Sequence, residues 1–141
     1  MGRINVGRVI VGGIVAGIVM TAIDFVINSM VMATAFEAVN SARNIAPEVA
    51  MASNTIAIMV ALDFLLALTL VFTYAAIRPR FGAGPKSAVV AALVIAAASN
   101  ITAGYFAASG FFPWGLWAKA GALGTGNYLI AALVGGALYR E

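Results

Sequence analysis

Four long apolar stretches constrain this chain more than any other feature. They cover residues 9–33, 54–77, 87–109 and 117–139, and each contains 23 to 25 residues. An α-helix needs about 20 residues to cross the hydrocarbon core of a bilayer. Because backbone polar groups find no water inside lipid, isolated apolar stretches of this length satisfy those groups by forming helices. The sequence therefore predicts an all-α integral membrane bundle of four transmembrane helices.

The charge content of the chain supports the same class. Of the 141 residues, 63% are hydrophobic and only 9% are charged, whereas a soluble domain contains about a quarter charged residues. So few charges cannot cover a water-soluble globule, but they can lie at the ends of helices whose sides face lipid. Because the connections between the apolar stretches are short, we expect residues 1–141 to form one domain.

The positions of lysine and arginine predict how the chain crosses the membrane. Loops on the cytoplasmic side carry an excess of these two residues. Only Arg43 and Lys119 lie on one side of the four stretches, and the other side carries Arg3, Arg8, Arg78, Arg80, Lys86 and Arg140. This excess predicts that both termini and the turn at residues 78–85 are cytoplasmic. It also predicts a multi-pass protein of the cytoplasmic, or inner, membrane.

One strongly polar residue interrupts each apolar stretch, and all four lie at a similar depth. Asp24, Asp63, Asn100 and Asn127 are 13 to 16 residues from the predicted cytoplasmic charge of their own stretch. At 1.5 Å of rise per residue, this spacing places them roughly 20 to 24 Å from those charges. The sequence therefore predicts one intramembrane polar layer, which Asn28 extends by about one turn along the first helix.

Glycines share helical faces with these polar residues. Gly13, Gly17, Gly124 and Gly135 stand at helical spacing from the polar residue of their own stretch. Small residues allow membrane helices to approach one another closely. We therefore expect the four glycines to be helix-packing positions and the polar side chains to point into the bundle.

The two aspartates allow two interpretations. An ionisable residue inside a membrane is costly and by default indicates a function, so Asp24 and Asp63 could form a proton- or cation-binding site. The layer contains no Lys, Arg or His, so the aspartates could instead form a structural hydrogen-bonded knot with the two asparagines. A cavity that opens to one membrane face and reaches either aspartate would favour transport. A closed, dry layer would favour the structural role.

The residue types present also limit the chemistry. The chain contains no histidine and no cysteine, which removes the commonest general base and the imidazole and thiolate ligands of metal ions. The basic residues fall singly at the ends of the apolar stretches and form no patch that would bind nucleic acid. We therefore expect no catalytic residues, no cofactor and no metal site.

Two functions from different classes remain. The first is a non-enzymatic bundle in the lipid bilayer that self-associates as a homo-oligomer or serves as an accessory subunit of a membrane complex. The small mass outside the membrane and the abundant small-residue faces favour this function. The alternative is a proton- or cation-coupled transporter or channel for a small solute, with Asp24 and Asp63 as the coupling pair.

Three segments resemble those of a family of small bacterial membrane proteins with four transmembrane helices. They are GRVIVGG at residues 7–13, YAAIRPRFGAGPK at residues 74–86 and ALYRE at residues 137–141. The resemblance implies a four-helix membrane protein and implies no activity. The chain is also similar in length to small multidrug transporters, which carry an acid in their first span. Asp24 lies deeper than that acid, and Asp63 departs from the pattern, so this assignment is not adopted.

Overall fold

A computed structural model describes residues 4–139, and within that part of the chain every regular element is helical. A π-helical turn, Ile27–Val31, joins the first two of six α-helices. In chain order the helices are α1 Val6–Val26, α2 Ala33–Ala42, α3 Pro47–Ala50, α4 Ser53–Phe81, α5 Pro85–Ala108 and α6 Trp114–Leu138. Three residues that bear on the predicted topology, Arg3, Arg140 and Glu141, lie outside the described residues. The prediction of an all-α chain is confirmed for residues 4–139.

Four helical segments of the described chain are long and apolar enough to cross a membrane. Each corresponds to one predicted apolar stretch, and they are Val6–Val31, Pro47–Phe81, Pro85–Ala108 and Trp114–Leu138. The prediction of a helical bundle with four candidate transmembrane helices is therefore confirmed. The length and composition of these helices indicate a membrane protein.

A tight turn joins α4 to α5. Gly82 and Gly84 have φ angles of 85° and 123°, a region that favours glycine because no Cβ is present. Pro85 then begins α5, where its constrained φ suits the first helical position. The Tyr74 hydroxyl accepts a hydrogen bond from the Gly84 N–H at 3.2 Å, and the Ser87 hydroxyl donates to the Gly82 carbonyl at 2.5 Å. These bonds fix α4 and α5 as a helical hairpin.

The first helix packs between α4 and α6, and α5 packs against α6 and α4. Gly13 of α1 faces Leu68 of α4, and Gly17 faces Phe64. Because residue numbers rise along α1 while they fall along α4, the two helices are antiparallel. This register brings the second half of α1, which carries Asp24, towards the first half of α4, which carries Asp63.

The buried side chains of the four long helices occupy one half of the bundle. They fall within residues 9–20 of α1, 67–75 of α4, 87–96 of α5 and 127–136 of α6. Among the other described residues of these four helices, only Ala107 is buried. The helices are therefore closely packed at the end that holds the α4–α5 turn, the packed half, and loosely packed at the other end, the open half.

Glycines permit the close approach of the helices in the packed half, with one exception among those predicted. A Cβ placed on Gly17 would lie 2.6 Å from the Phe64 ring, and one on Gly135 would lie 3.0 Å from the Ala16 Cβ. Interiors this dense cannot accept an added methyl group without movement. Gly124 differs from the prediction, because a Cβ there would meet nothing within 4 Å. It lines a cavity in the open half instead of packing against a helix.

Candidate functional site

The α1–α4 contact brings the two intramembrane aspartates together. Asp24 and Asp63 are half-buried, and their carboxyl groups are close enough to interact. They lie just beyond the packed half, whose last buried residues on these helices are Met20 and Ala67. The nearest basic residue along the chain is 16 positions from Asp24 and 15 from Asp63. Neither carboxyl group therefore has a cationic partner nearby on its own helix.

Two buried oxygen atoms beside this pair have no hydrogen-bond partner of ordinary geometry within residues 4–139. One is Oδ1 of Asn127, a residue that is only 1% exposed. The Nδ2 atom of the same side chain donates to the Met20 carbonyl at 3.0 Å and faces the Asp24 carboxyl group. The other atom is the Thr21 hydroxyl, which faces Asp63. We call Asp24, Asp63, Asn127 and Thr21 the carboxyl site.

The carboxyl site can form hydrogen bonds both to a protonated and to an ionised carboxyl group. A protonated carboxyl group can donate to an amide oxygen such as Asn127 Oδ1, and an ionised one can accept from the Thr21 hydroxyl or the Asn127 amide. Ionising both carboxyl groups at a desolvated site costs free energy, because desolvation and mutual repulsion each oppose the second charge. Within the described residues, no group of three or more His, Cys, Asp or Glu could hold a metal ion. Two carboxyl groups in such surroundings can bind and release a proton.

The two other predicted polar residues lie apart from the carboxyl site. Asn100 is at the α5–α6 contact, where its Nδ2 donates to the Ala96 carbonyl at 2.8 Å and to the Thr125 hydroxyl at 3.3 Å. Asn28 is exposed in the π-helical turn, and its Nδ2 donates to the Asp24 backbone carbonyl at 2.8 Å. The predicted layer therefore consists of an α1–α4–α6 group and a separate α5–α6 group, because α5 packs against α6 on the side away from α1.

Tyr128 links these two groups, although the sequence-based prediction did not include it. Its phenol interacts with the Ser99 side chain on α5 and lies within electrostatic range of both Asp24 and Asp63. The residue follows Asn127 directly, so its depth could have been read from the sequence. Its type gave no signal, because a tyrosine in an apolar helix is an ordinary packing residue.

A cavity of about 190 Å³ lies on the other side of Tyr128 in the open half. It is formed mainly by α5 and α6, and it is partly open. Its wall includes four aromatic residues, three polar residues and two glycines, namely Phe36, Phe112, Trp117, Tyr128, Ser99, Asn100, Thr125, Gly121 and Gly124. Tyr128 thus belongs both to the cavity wall and to the surroundings of the carboxyl site. The aspartates themselves do not line the cavity.

Arg43 holds the second helix over this region. Its Nε donates to the Phe111 carbonyl at 2.7 Å, a terminal guanidinium nitrogen donates to the Gly110 carbonyl at 2.9 Å, and the guanidinium carbon lies 4.1 Å from the centre of the Phe111 ring. These contacts tie the end of α2 to the α5–α6 loop. As a result, Phe36 of α2 forms part of the cavity wall.

Comparison of the chain with protein-family models, with curated proteins and with solved structures gives no match.

Proposed function

We propose that this chain is a small, non-enzymatic, proton-coupled carrier of a small solute, and that Asp24 and Asp63 carry the coupling proton. The observation that carries the proposal is the position of the carboxyl site. Two interacting carboxyl groups, without a basic partner on their own helices, are half-buried where the packed half meets the open half. The cavity does not reach either aspartate, so the support for transport is that these carboxyl groups lie half-buried at the border of the open half and are not enclosed in the packed half.

The arrangement around the carboxyl site supports this function in two further ways. The unpaired Asn127 amide oxygen and Thr21 hydroxyl offer hydrogen bonds to both protonation states of a carboxyl group. Tyr128 then connects the carboxyl site to a cavity large enough for a small organic molecule. A change of charge at the aspartates would alter the electrostatic potential at the cavity wall, which is the physical requirement for coupling.

The flux of protons into proteoliposomes tests the proposal. With a pH gradient imposed, a panel of small uncharged solutes supplied on the acidic side and a pH indicator trapped inside, we expect the carried solute to raise proton entry in the wild type. Asp24→Asn and Asp63→Asn should each reduce this entry to the level of empty liposomes, because an amide cannot exchange the proton. Both variants should keep the fold, since Asn preserves the shape of Asp. Glu48→Gln is the matched control: it removes an exposed carboxyl group on α3 and should leave the flux unchanged. Wild-type flux in both Asp variants would overturn the carrier.

The proposal also covers how the bundle is oriented and in which membrane it lies. We infer that the packed half faces the cytoplasm and the open half faces outward, in the cytoplasmic membrane of a bacterium. Arg8, Arg80 and Lys86 are exposed at the packed end, whereas Arg43 and Lys119 lie at the other end. Positively charged residues are enriched on the cytoplasmic side. This distribution supports cytoplasmic termini and a cytoplasmic α4–α5 turn.

Reporter fusions can check the orientation. Reporters inserted at Ala83 in the α4–α5 turn, or fused after Glu141, should be active only in the cytoplasm, and reporters placed after Arg43 should be active only outside. The excess of lysine and arginine on the cytoplasmic side is the reason for this expectation. The reverse pattern at all three positions would show that the orientation is wrong.

Self-association is the second candidate function, and the open half favours it. Neither residues 53–66 of α4 nor residues 97–106 of α5 contain a buried side chain, so both helices present apolar surfaces there. A second copy of this chain, or another subunit of a membrane complex, could pack against those surfaces. The flux experiment separates the two candidates, because a bundle that only associates would give no proton entry that depends on Asp24 and Asp63.

A further inference from the structure

The cavity between α5 and α6 has the size of a binding site for one substituted ring. Its volume is about 190 Å³, and a dry apolar cavity of about 150 Å³ is enough to bind benzene in an engineered protein. Phe112, Trp117 and Tyr128 supply aromatic walls, and Phe36 lies at the α2 side. Gly124 keeps the α6 wall free of a side chain at its position, and Gly121 leaves room for the Asn100 side chain to pack against α6.

The hydrogen-bonding groups of the cavity wall favour a ligand that donates a hydrogen bond. Asn100 uses its Nδ2 for Ala96 and Thr125, the Thr125 hydroxyl donates to the Gly121 carbonyl at 2.7 Å, and the Trp117 N–H donates to the Asn100 backbone carbonyl at 2.9 Å. These donors are therefore occupied, and the hydroxyl groups of Ser99 and Tyr128, which also line the cavity, interact with each other. Asn100 Oδ1 lies against the Gly121 backbone and accepts no hydrogen bond from residues 4–139, so it remains an acceptor at this part of the wall.

The charges around the cavity favour an uncharged ligand. Among the described residues that line it, none is Asp, Glu, Lys or Arg. An ion would therefore enter a place of low dielectric constant without an adjacent counter-charge, which is costly. We propose that this cavity binds a small, uncharged, ring-sized molecule that carries one hydroxyl group, and that the hydroxyl donates to Asn100 Oδ1. The assignment of this molecule as the transported solute rests on the proposed carrier function, whereas its binding does not.

Quenching of Trp117 fluorescence tests the binding. The chain has two tryptophans, so a Trp114→Phe background leaves Trp117 as the only indole, at the cavity wall. The probe is 4-bromobenzyl alcohol, whose bromine quenches indole emission on contact. In detergent we expect saturable quenching of this background protein. Gly124→Leu should weaken the binding at least about tenfold, because the new side chain occupies the cavity.

Gly126→Leu is the matched control. Gly126 lies on the same helix, a Cβ there also meets nothing within 4 Å, and the residue does not line the cavity. It should bind the probe as the background protein does. Gly124→Ala fills less of the space and should weaken binding by a smaller factor, which keeps the test valid if the leucine variant does not fold.

Two results would overturn the inference. Equal quenching in the Gly124 and Gly126 variants would show that the probe only partitions into detergent. Tighter binding of 4-bromobenzylamine, which is positively charged at neutral pH, would show that the ligand class is wrong, since we expect the amine to bind at least about tenfold more weakly. Because these measurements are made at equilibrium without a proton gradient, failure of the binding site and failure of proton coupling give different results.

Discussion

Replacing Gly135 by alanine should destabilise the bundle, and the same replacement at Gly126 should not. Gly135 lies where α6 meets both α1 and α4. An added Cβ would collide with the Val71 side chain and would lie 3.0 Å from the Ala16 Cβ and 3.1 Å from the Gly12 carbonyl oxygen. The last of these is a backbone atom, so a change of side-chain rotamer cannot relieve the contact. Overpacking of this kind costs roughly 1–3 kcal/mol, and Gly135→Leu should cost more.

Gly126→Ala is the control, and it should not lower the stability of the bundle as Gly135→Ala should. Gly126 is on the same helix, and a Cβ there meets nothing within 4 Å. Alanine is favoured over glycine inside a helix by roughly 1 kcal/mol, so Gly126→Ala should be neutral or stabilising. Thermal unfolding in detergent, followed by the loss of the monodisperse peak in size-exclusion chromatography, measures both variants. If Gly135→Ala unfolds at or above the wild-type temperature, the packed half does not have the close α1–α6 contact described here.

The second large effect is expected when an apolar residue replaces a member of the carboxyl site. Asp24→Leu removes the partner of Asp63 and of the Asn127 amide, whose Nδ2 faces Asp24. A buried polar group left without a partner costs about 1–3 kcal/mol, although hydrogen bonds between membrane helices average only about 0.6 kcal/mol in double-mutant cycles. Asp24→Asn should be tolerated. The Asp24→Leu, Asp63→Leu double variant should lose less stability than the sum of the single variants.

Asn100 and Asn127 provide matched partners for the double-mutant cycles. Asn127 belongs to the carboxyl site, so Asn127→Ala should be coupled to Asp24→Leu. Asn100 bonds to Ala96 and Thr125 instead, so Asn100→Ala should be additive with Asp24→Leu to within a few tenths of a kcal/mol. Thermal unfolding of the single and double variants gives both coupling energies. Coupling to Asn100 but not to Asn127 would contradict the division of the polar layer into two groups.

Much of the architecture could be predicted because it depends on local properties of the chain. The four candidate transmembrane helices follow from apolar stretches of more than 20 residues, since such segments must satisfy their own backbone groups inside lipid. The α4–α5 turn follows from Gly82, Gly84 and Pro85, which favour positive φ angles and the start of a helix. The similar depth of the polar residues could also be predicted, because it depends only on the rise per residue. Asp24, Asp63 and Asn127 do lie near one another.

The π-helical turn between α1 and α2 is a feature that local patterns did not predict. The segment Ile27–Val31 contains no proline or glycine that would mark a change of helical geometry. Its Asn28 and Ser29 side chains donate to the carbonyls of Asp24 and Phe25, four residues earlier, but such bonds also occur in regular helices. The turn begins three residues after Asp24, and Met32, the residue that follows it, is fully buried. It leads into α2, whose Phe36 becomes part of the cavity wall. The position of α2 therefore depends on a tertiary contact, that of Arg43 with the α5–α6 loop.

The sequence by itself determined how many apolar helices there are and how deep each polar residue lies, because both follow from hydropathy and from a constant rise per residue. Only the tertiary structure decided which polar groups meet, because the direction of a side chain around the helix axis has meaning only once the neighbours of that helix are known. Asn100 has nearly the depth of the carboxyl site but lies at the α5–α6 contact, while Thr21 and Tyr128 join the aspartates. Gly124 lacks a side chain just as Gly135 does, yet it lines a cavity, because α5 and α6 do not close on each other there and a Cβ on Gly124 would meet nothing within 4 Å.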